Sequence, residues 1–148
     1  MLLKKLITNC PIHLRNIKIS DLTSDSREVK KNSLFFAVKG KNYDGFNFVN
    51  EAIKKGATAI ISSRKLKYKN SLIISEKKIK KLLPSICKKF YNKIPSNLIA
   101  VTGTNGKSSI VEFYRQMMLM SKKKVATIGT LGTIINNRKN LSPLTTPD

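Results

Sequence analysis

At 148 residues, 41% of them hydrophobic and 25% charged, the chain holds material for one ordinary domain or for a small domain plus part of another, and it is too short for a complete multidomain enzyme. Its 29 Lys+Arg against 8 Asp+Glu give a formal net charge of +21, which invites a polyanionic partner: nucleic acid, an anionic membrane surface or a phosphorylated substrate. The lysines are spread along most of the chain instead of clustering with arginine and exposed aromatics, so compositional drift accounts for the charge better than a dedicated nucleic-acid face.

In chain order, the apolar run LFFAV at 34–38, closed by Lys39-Gly40, predicts a buried strand. Phe48, Ala52 and Ile53 share one face of a helix expected over Asn47 to Lys55, with Gly56 placed for a left-handed C-cap. ATAIIS at 57–62 and SLIIS at 71–75 read as short strands separated by a basic turn from Arg64 to Asn70. Strand, helix and strand in succession predict an α/β unit. From Glu76 to Lys93, Ile79, Leu82, Leu83, Ile86 and Phe90 recur at helical spacing under a lysine-coated outer face, and Pro84 is expected to kink this helix or to mark its first turn. KIPSN at 93–97 stops the helix and supplies a linker, so a domain boundary is expected near residue 95. LIAVT at 98–102 then predicts a parallel-sheet strand, 108–120 a helix, and KVATI at 124–128 the next strand, running into the turn GTLGT. That is one βαβ crossover with a glycine loop at its strand-to-helix junction. Residues 134–148 show no further strand or helix signal.

Little else in the composition suggests chemistry. Cys10 and Cys87 lie far apart without CxxC spacing, which gives neither a disulfide framework nor a zinc site; both are expected as small core residues. The single histidine, His13, leaves no Ser/His/Asp triad to build and reads as an ordinary surface residue. No apolar run approaches a membrane span, and MLLKKLITNC lacks the features of a signal peptide, so the chain is expected to be cytoplasmic.

The loop Gly103-Thr104-Asn105-Gly106-Lys107-Ser108 is different. Its glycines let the backbone wrap closely and turn N–H groups inward, and the following helix offers its positive N-terminus. Lys107 can reach β and γ phosphate oxygens, and the Ser108 hydroxyl can ligate Mg²⁺. The strict pattern GxxxxGK[ST] needs glycine at position 101, where this chain has Val101, so the match is to the shorter GxxGKS. That string would arise by chance in about one such sequence in a hundred, before its flanking strand and helix are required. The bland alternative is a glycine turn with an incidental lysine.

VTGTNGKSS followed by VEF, then KVATIGTLG and LTTPD, together with DSREVKKNSLFFAVKGKNYDGFNFVNEAIKKGATAII, resembles the start of a Mur ligase, within that family most closely the branch that adds a diamino acid. The resemblance runs from about Ser24 to Asp148. It implies an α/β fold in which a small amino-terminal UDP-sugar-binding domain, residues 1–95, precedes the first βαβ unit of a P-loop ATPase-like central domain, residues 96–148. It also implies an ATP-dependent amide ligase of peptidoglycan synthesis whose substrates are UDP-N-acetylmuramoyl-L-alanyl-D-glutamate and either meso-diaminopimelate or lysine. Gly103, Thr104, Asn105, Gly106, Lys107, Ser108 and Ser109 then hold the ATP phosphates, with Lys107 as the catalytic cation and Ser108 on Mg²⁺. By the same resemblance Ser24, Ser26, Lys41, Asn42 and Tyr43 meet the UDP moiety, and Thr145 and Thr146 the muramoyl-peptide. Without it, Asp25, Ser26 and Arg27 read as a capped turn, and Thr145 and Thr146 as a frayed terminus.

Relative to that family the chain lacks further parallel strands, the downstream lysine that becomes carbamylated, the acidic and histidine groups completing the magnesium site, and the third domain. The expectation is an amino-terminal fragment without ligase activity of its own, from an interrupted or decayed reading frame or a shortened chain, with the missing domains absent or supplied by a separate chain. Two other readings remain: a fragment of the sister ligase MurF, and a noncatalytic basic module that binds RNA or anionic lipid through its lysines.

Overall fold

The computed structural model describes residues 1–40, 43–93 and 95–140, and these divide into two units, Met1–Ile94 and Pro95–Asp148. In the first, α1 (Leu3–Leu6) and a 3-10 turn at Ile12–Leu14 precede β1 (Asp21–Thr23), a second 3-10 turn at Ser26–Glu28 and β2 (Ser33–Ala37). A third 3-10 turn at Gly45–Phe48 leads into α2 (Val49–Lys55), and β3 (Ala57–Ser62), β4 (Ser71–Ile73) and α3 (Glu76–Phe90) complete the unit. The four strands form one sheet in the order β1-β2-β3-β4, every neighbouring pair parallel.

Every residue of β2 is buried, as a strand covered on both faces must be. Side chains alternate along it: Leu34 and Phe36 pack with Leu3 and Leu6 of α1 and Ile79 and Ile86 of α3. Phe35 and Ala37 point the other way, toward Val49 and Ala52 of α2. The apolar run that marks this strand in the sequence is therefore the seam of two cores.

Several boundaries differ from expectation. The helix over 47–55 becomes a 3-10 turn through Phe48 and an α-helix only from Val49, because Asp44 accepts from the Phe46 amide at 3.0 Å and caps a tighter first turn. Gly56 does close α2 with φ 109°. α3 stops at Phe90, where Tyr91 leaves the helical region with ψ 83°, short of Lys93. Pro84 lies inside α3 on its exposed side, so the carbonyl of Lys80 left without its usual donor sits on a residue open to water. Cys10 is buried as expected, whereas Cys87 is only half-buried; desolvation raises the pKa of each thiol. The first 33 residues, in which the sequence pattern singles out no element, supply α1 and the edge strand β1.

The second unit consists of α4 (Lys107–Met120), β5 (Ala126–Gly129), β6 (Gly132–Ile135) and β7 (Arg138–Asn140). Here the expected parallel crossover is corrected. Residues 98–102 belong to no strand, and Leu98 is 91% exposed. A parallel strand is stable only when neighbours pair with it and helices cover it, and among the described residues of this unit there is no parallel neighbour. β5 instead folds back on β6 through Thr130-Leu131, and β6 on β7 through Asn136-Asn137, giving an antiparallel sheet in the order β5-β6-β7. Asn136 takes φ 51°, the left-handed conformation this tight turn requires and asparagine tolerates. The segment from 134 on, expected to carry no element, therefore supplies the second half of β6 and the whole of β7. No residue of α4 is buried, and Phe113 is 69% exposed. Among the described residues no helix is long and apolar enough to cross a membrane.

Candidate functional site

The loop 103–106 leads into α4 through Gly106, which takes φ 75° as the residue before the helix and whose missing Cβ would meet no atom within 4 Å. A left-handed residue here turns the chain so that the first helical amides face outward, where they have no intrahelical acceptor. Gly106 itself accepts from the Ile110 amide at 3.0 Å, so the helix is hydrogen-bonded from its first turn. The Lys107 ammonium donates to the carbonyls of Gly103 and Thr104, the latter at 3.0 Å, and so lies across its own loop instead of extending into solvent. Residues 103–109 are all exposed. The turn is open, its cation rests on two of the loop's own carbonyls, and the amides at the start of α4 beside it have no intrahelical acceptor, a combination that suits an oxyanion.

Beside the loop is a cavity of about 170 Å³, lined by Lys107, Ser108, Val111, Glu112 and the β5–β6 turn with Thr130. The hydroxyls of Ser108 and Thr130 are 2.9 Å apart, so the serine expected on Mg²⁺ has a hydroxyl partner from the hairpin. Among the described residues no group of three or more His, Cys, Asp or Glu side chains is arranged to hold a metal. Mg²⁺ commonly keeps several waters and binds through few protein oxygens plus substrate phosphates, which suits a site offering one serine hydroxyl. Arg115 fixes the cavity's outer wall: it donates to Glu112 at 2.8 Å and to the Asn136 carbonyl at 2.6 Å, tying α4 to the β6–β7 turn. The hydrogen bonds from Arg115 and then Gln116 hold the Glu112 carboxyl down at about 2.

The first unit holds the other candidate residues. Asp25 accepts from the Arg27 amide at 2.8 Å and caps the turn Ser26–Glu28, while the Arg27 side chain grips the same carboxylate and lowers its pKa. Ser24 is exposed. Ser26 is buried at 5% exposure, and its hydroxyl donates to Glu51 Oε2 of α2 at 2.8 Å. Lys55 holds the other oxygen of Glu51 at 2.7 Å, and the Glu51 pKa falls through the bonds from Lys55 and Ser26. With its proton committed to a carboxylate, the Ser26 hydroxyl presents only lone pairs to any ligand. Tyr43 is 75% exposed, and its carbonyl accepts from the Gly40 amide at 2.9 Å. The next residue, Asp44, is fastened by Arg64 at 2.6 Å, with the guanidinium over the Phe46 ring. Lys41, Asn42, Thr145 and Thr146 lie outside the described residues.

Two participants escape sequence reasoning. Thr130 sits in the glycine-punctuated turn GTLGT, a signal that marks a turn but not its partner. Glu51 is one acid on a short amphipathic helix, and nothing in its spacing points to Ser26.

The profile described as "Mur ligase family, catalytic domain" matches residues 18–97, more than half of the chain, and the one described as "Mur ligase middle domain" matches residues 101–148. The chain belongs to the Mur ligase family. Among its relatives, the UDP-N-acetylmuramoyl-L-alanyl-D-glutamate--2,6-diaminopimelate ligase of Rickettsia prowazekii is 41% identical over 86% of this chain and 26% of its own length. The enzyme of that name from Clostridioides difficile is 38% identical over 90% of this chain and 28% of its own length. This Mur ligase chain thus spans about a quarter of the curated relatives it matches. A solved structure of a 2,6-diaminopimelate ligase superposes with a TM-score of 0.71 at 24% identity, covering 100% of this chain and 31% of that one; this is a likeness of fold. The MurF ligase of Thermotoga maritima, solved in complex with ADP, gives a TM-score of 0.56 at 28% identity over 68% of this chain and 23% of that one.

Proposed function

We propose that this chain is the nucleotide-sugar-binding and phosphate-loop portion of a cytoplasmic, ATP-dependent amide ligase that adds meso-diaminopimelate to UDP-N-acetylmuramoyl-L-alanyl-D-glutamate in peptidoglycan synthesis. One observation carries the reading: an open glycine turn at the N-terminus of α4 with the Lys107 ammonium drawn across it. ATP would supply the γ-phosphoryl group that converts the dipeptide's terminal carboxylate into an acyl phosphate, with ADP leaving, and the amine of the diamino acid would then attack the acyl carbon and expel inorganic phosphate. In that reaction the exposed amides of 103–109 would orient the phosphate oxygens, and Lys107 would exchange its two neutral carbonyl partners for anionic oxygens, an ion pair in place of an ion–dipole contact. Ser108 offers its hydroxyl to Mg²⁺, with Thr130 holding the serine rotamer. In the first unit, residues 1–95 on this reading, Ser24, Ser26, Lys41, Asn42 and Tyr43 form the uridine-diphosphate side, with Glu51 positioning Ser26. Thr145 and Thr146 are assigned to the muramoyl-peptide.

The relatives' printed names favour diaminopimelate over lysine and over a MurF-type acceptor. The test is ligation, by this chain and by a complete ligase that contains it, with ATP and Mg²⁺, offering the UDP-muramoyl-dipeptide with either diamino acid and, separately, the tripeptide with D-alanyl-D-alanine. With the complete ligase, product from the dipeptide and diaminopimelate alone is expected. Product only from the tripeptide would transfer the chain to the MurF branch, and ligation undiminished in Lys107→Ala would remove the phosphate-loop assignment.

A further inference from the structure

We infer that the first unit carries a second anion site, for a phosphate monoester or diphosphate group, in the cavity between α1, the chain after it and the C-terminal half of α3. This cavity, of about 440 Å³, is lined by Lys4, Arg15 and Lys89 together with Thr8, Asn9 and Cys10. No carboxylate lines it, and none of the three cations makes a salt bridge among the described residues.

Basic side chains are plentiful on a chain of net charge +21, so proximity alone means little. Three features set this group apart. Its members come from positions 4, 15 and 89, on three separate elements that the fold brings around one concave space. Two of the heads are held by the backbone: Arg15 Nε donates to the Cys10 carbonyl at 3.0 Å, and Lys89 Nζ to the Leu6 carbonyl at 3.3 Å. The Lys4 amide also donates to the Arg15 carbonyl at 3.3 Å, and Asn9, at φ 59°, turns the chain between them.

Among the described residues these anchors leave both Nη groups of Arg15 and the ammonium of Lys4 without a hydrogen-bond partner. Three like charges around one cavity repel each other, and an oxyanion with two negative charges reverses that interaction. The guanidinium edge, two ammonium groups and the Thr8 hydroxyl offer more donors than a carboxylate accepts, which selects a phosphate. The site lies in a different unit from the 103–109 loop and does not depend on the ligase reading.

The test is an amide chemical-shift titration of the whole chain carrying Lys107→Ala, which disables the other phosphate site, with inorganic phosphate and then pyrophosphate against chloride at matched ionic strength. Saturable shifts at Thr8 and Asn9 are expected, weakened about tenfold or more by Arg15→Ala. Lys4→Ala removes a head that bonds no backbone, so it tests the site without disturbing the fold; it should weaken binding severalfold, while Lys77→Ala on the outer face of α3 leaves it within about twofold. Phosphatidylglycerol vesicles form a second arm: Arg15-dependent co-sedimentation identifies a lipid headgroup as the source of the phosphate, and its absence alongside saturable binding of free phosphate identifies a soluble one. Shifts no larger than with chloride, or equal losses in Lys77→Ala and Lys4→Ala, would overturn the proposal and leave only diffuse charge.

Discussion

The two units of this chain bury their apolar residues to very different degrees. In the first, Phe35 and Phe36 stand back to back in a strand with helices on both faces, and each is at most 1% exposed. In the second, α4 carries Ile110, Phe113, Met117 and Met120, all more than half exposed, beside a three-stranded antiparallel sheet. Parallel strands need covered faces and antiparallel hairpins do not, so the first unit forms the sheet its sequence predicts while the second settles for local pairing. The glycine turn before α4 depends only on local backbone geometry, and it keeps its shape regardless.

The largest test of this contrast is a pair of phenylalanines. Phe36→Ala is expected to cost about 3–5 kcal/mol, enough to unfold the first unit, whereas Phe113→Ala should shift the denaturation midpoint by less than about 0.5 kcal/mol. Equal effects would mean that α4 is packed in solution. Hydrogen exchange sharpens the same point: amides of 24–93 should be well protected and those of 98–140 only poorly.

Next in size, if the proposed function holds, is Lys107→Ala in a complete ligase that contains this chain, expected to lower turnover by on the order of 10²–10³-fold through loss of charge stabilisation, with little change in unfolding because the ammonium touches only its own exposed loop. A smaller effect is expected where α2 meets the turn at Ser26. Ser26→Ala removes a hydrogen bond to a charged partner, worth about 1.5–3 kcal/mol, and Glu51→Gln should recover part of it. If the pair positions a substrate contact, KM for the UDP-sugar rises in both variants while kcat holds; unchanged KM would make the pair purely structural.

The smallest effect is electrostatic. Glu112 is held at about 2, below its ordinary 4.5, so its bond to Arg115 contributes fully above about pH 4.5 and is lost as pH falls through about 2. Chemical shifts at Asn136 followed between pH 6 and pH 2 should report that loss, and Glu112→Gln should flatten the curve.

Much of the first unit is legible in sequence because burial on both faces writes a continuous apolar run, as in 34–37 and 57–61. The site loop is legible for another reason: glycine, lysine and serine at fixed offsets state a local geometry directly. What sequence reading misses is long-range or polar. β7 is Arg138-Lys139-Asn140 and has no apolar face to announce a strand, although Asn136-Asn137 signals the turn before it. The pairs Ser26–Glu51 and Ser108–Thr130 join residues 25 and 22 positions apart, and nothing local encodes them. The 98–102 run carries a strand signal without a strand, because an apolar, β-branched segment specifies a preference for pairing and not the presence of a partner.

The central claim is that the 103–109 turn receives nucleotide phosphates, and the most direct measurement is a titration of the 148-residue chain with Mg²⁺-ATP, following the amides of Gly103, Thr104, Asn105, Gly106 and Lys107. The account predicts concerted, saturable shifts at these amides that disappear in Lys107→Ala. Amides that stay still at millimolar nucleotide, or that move equally with and without the lysine, would contradict it.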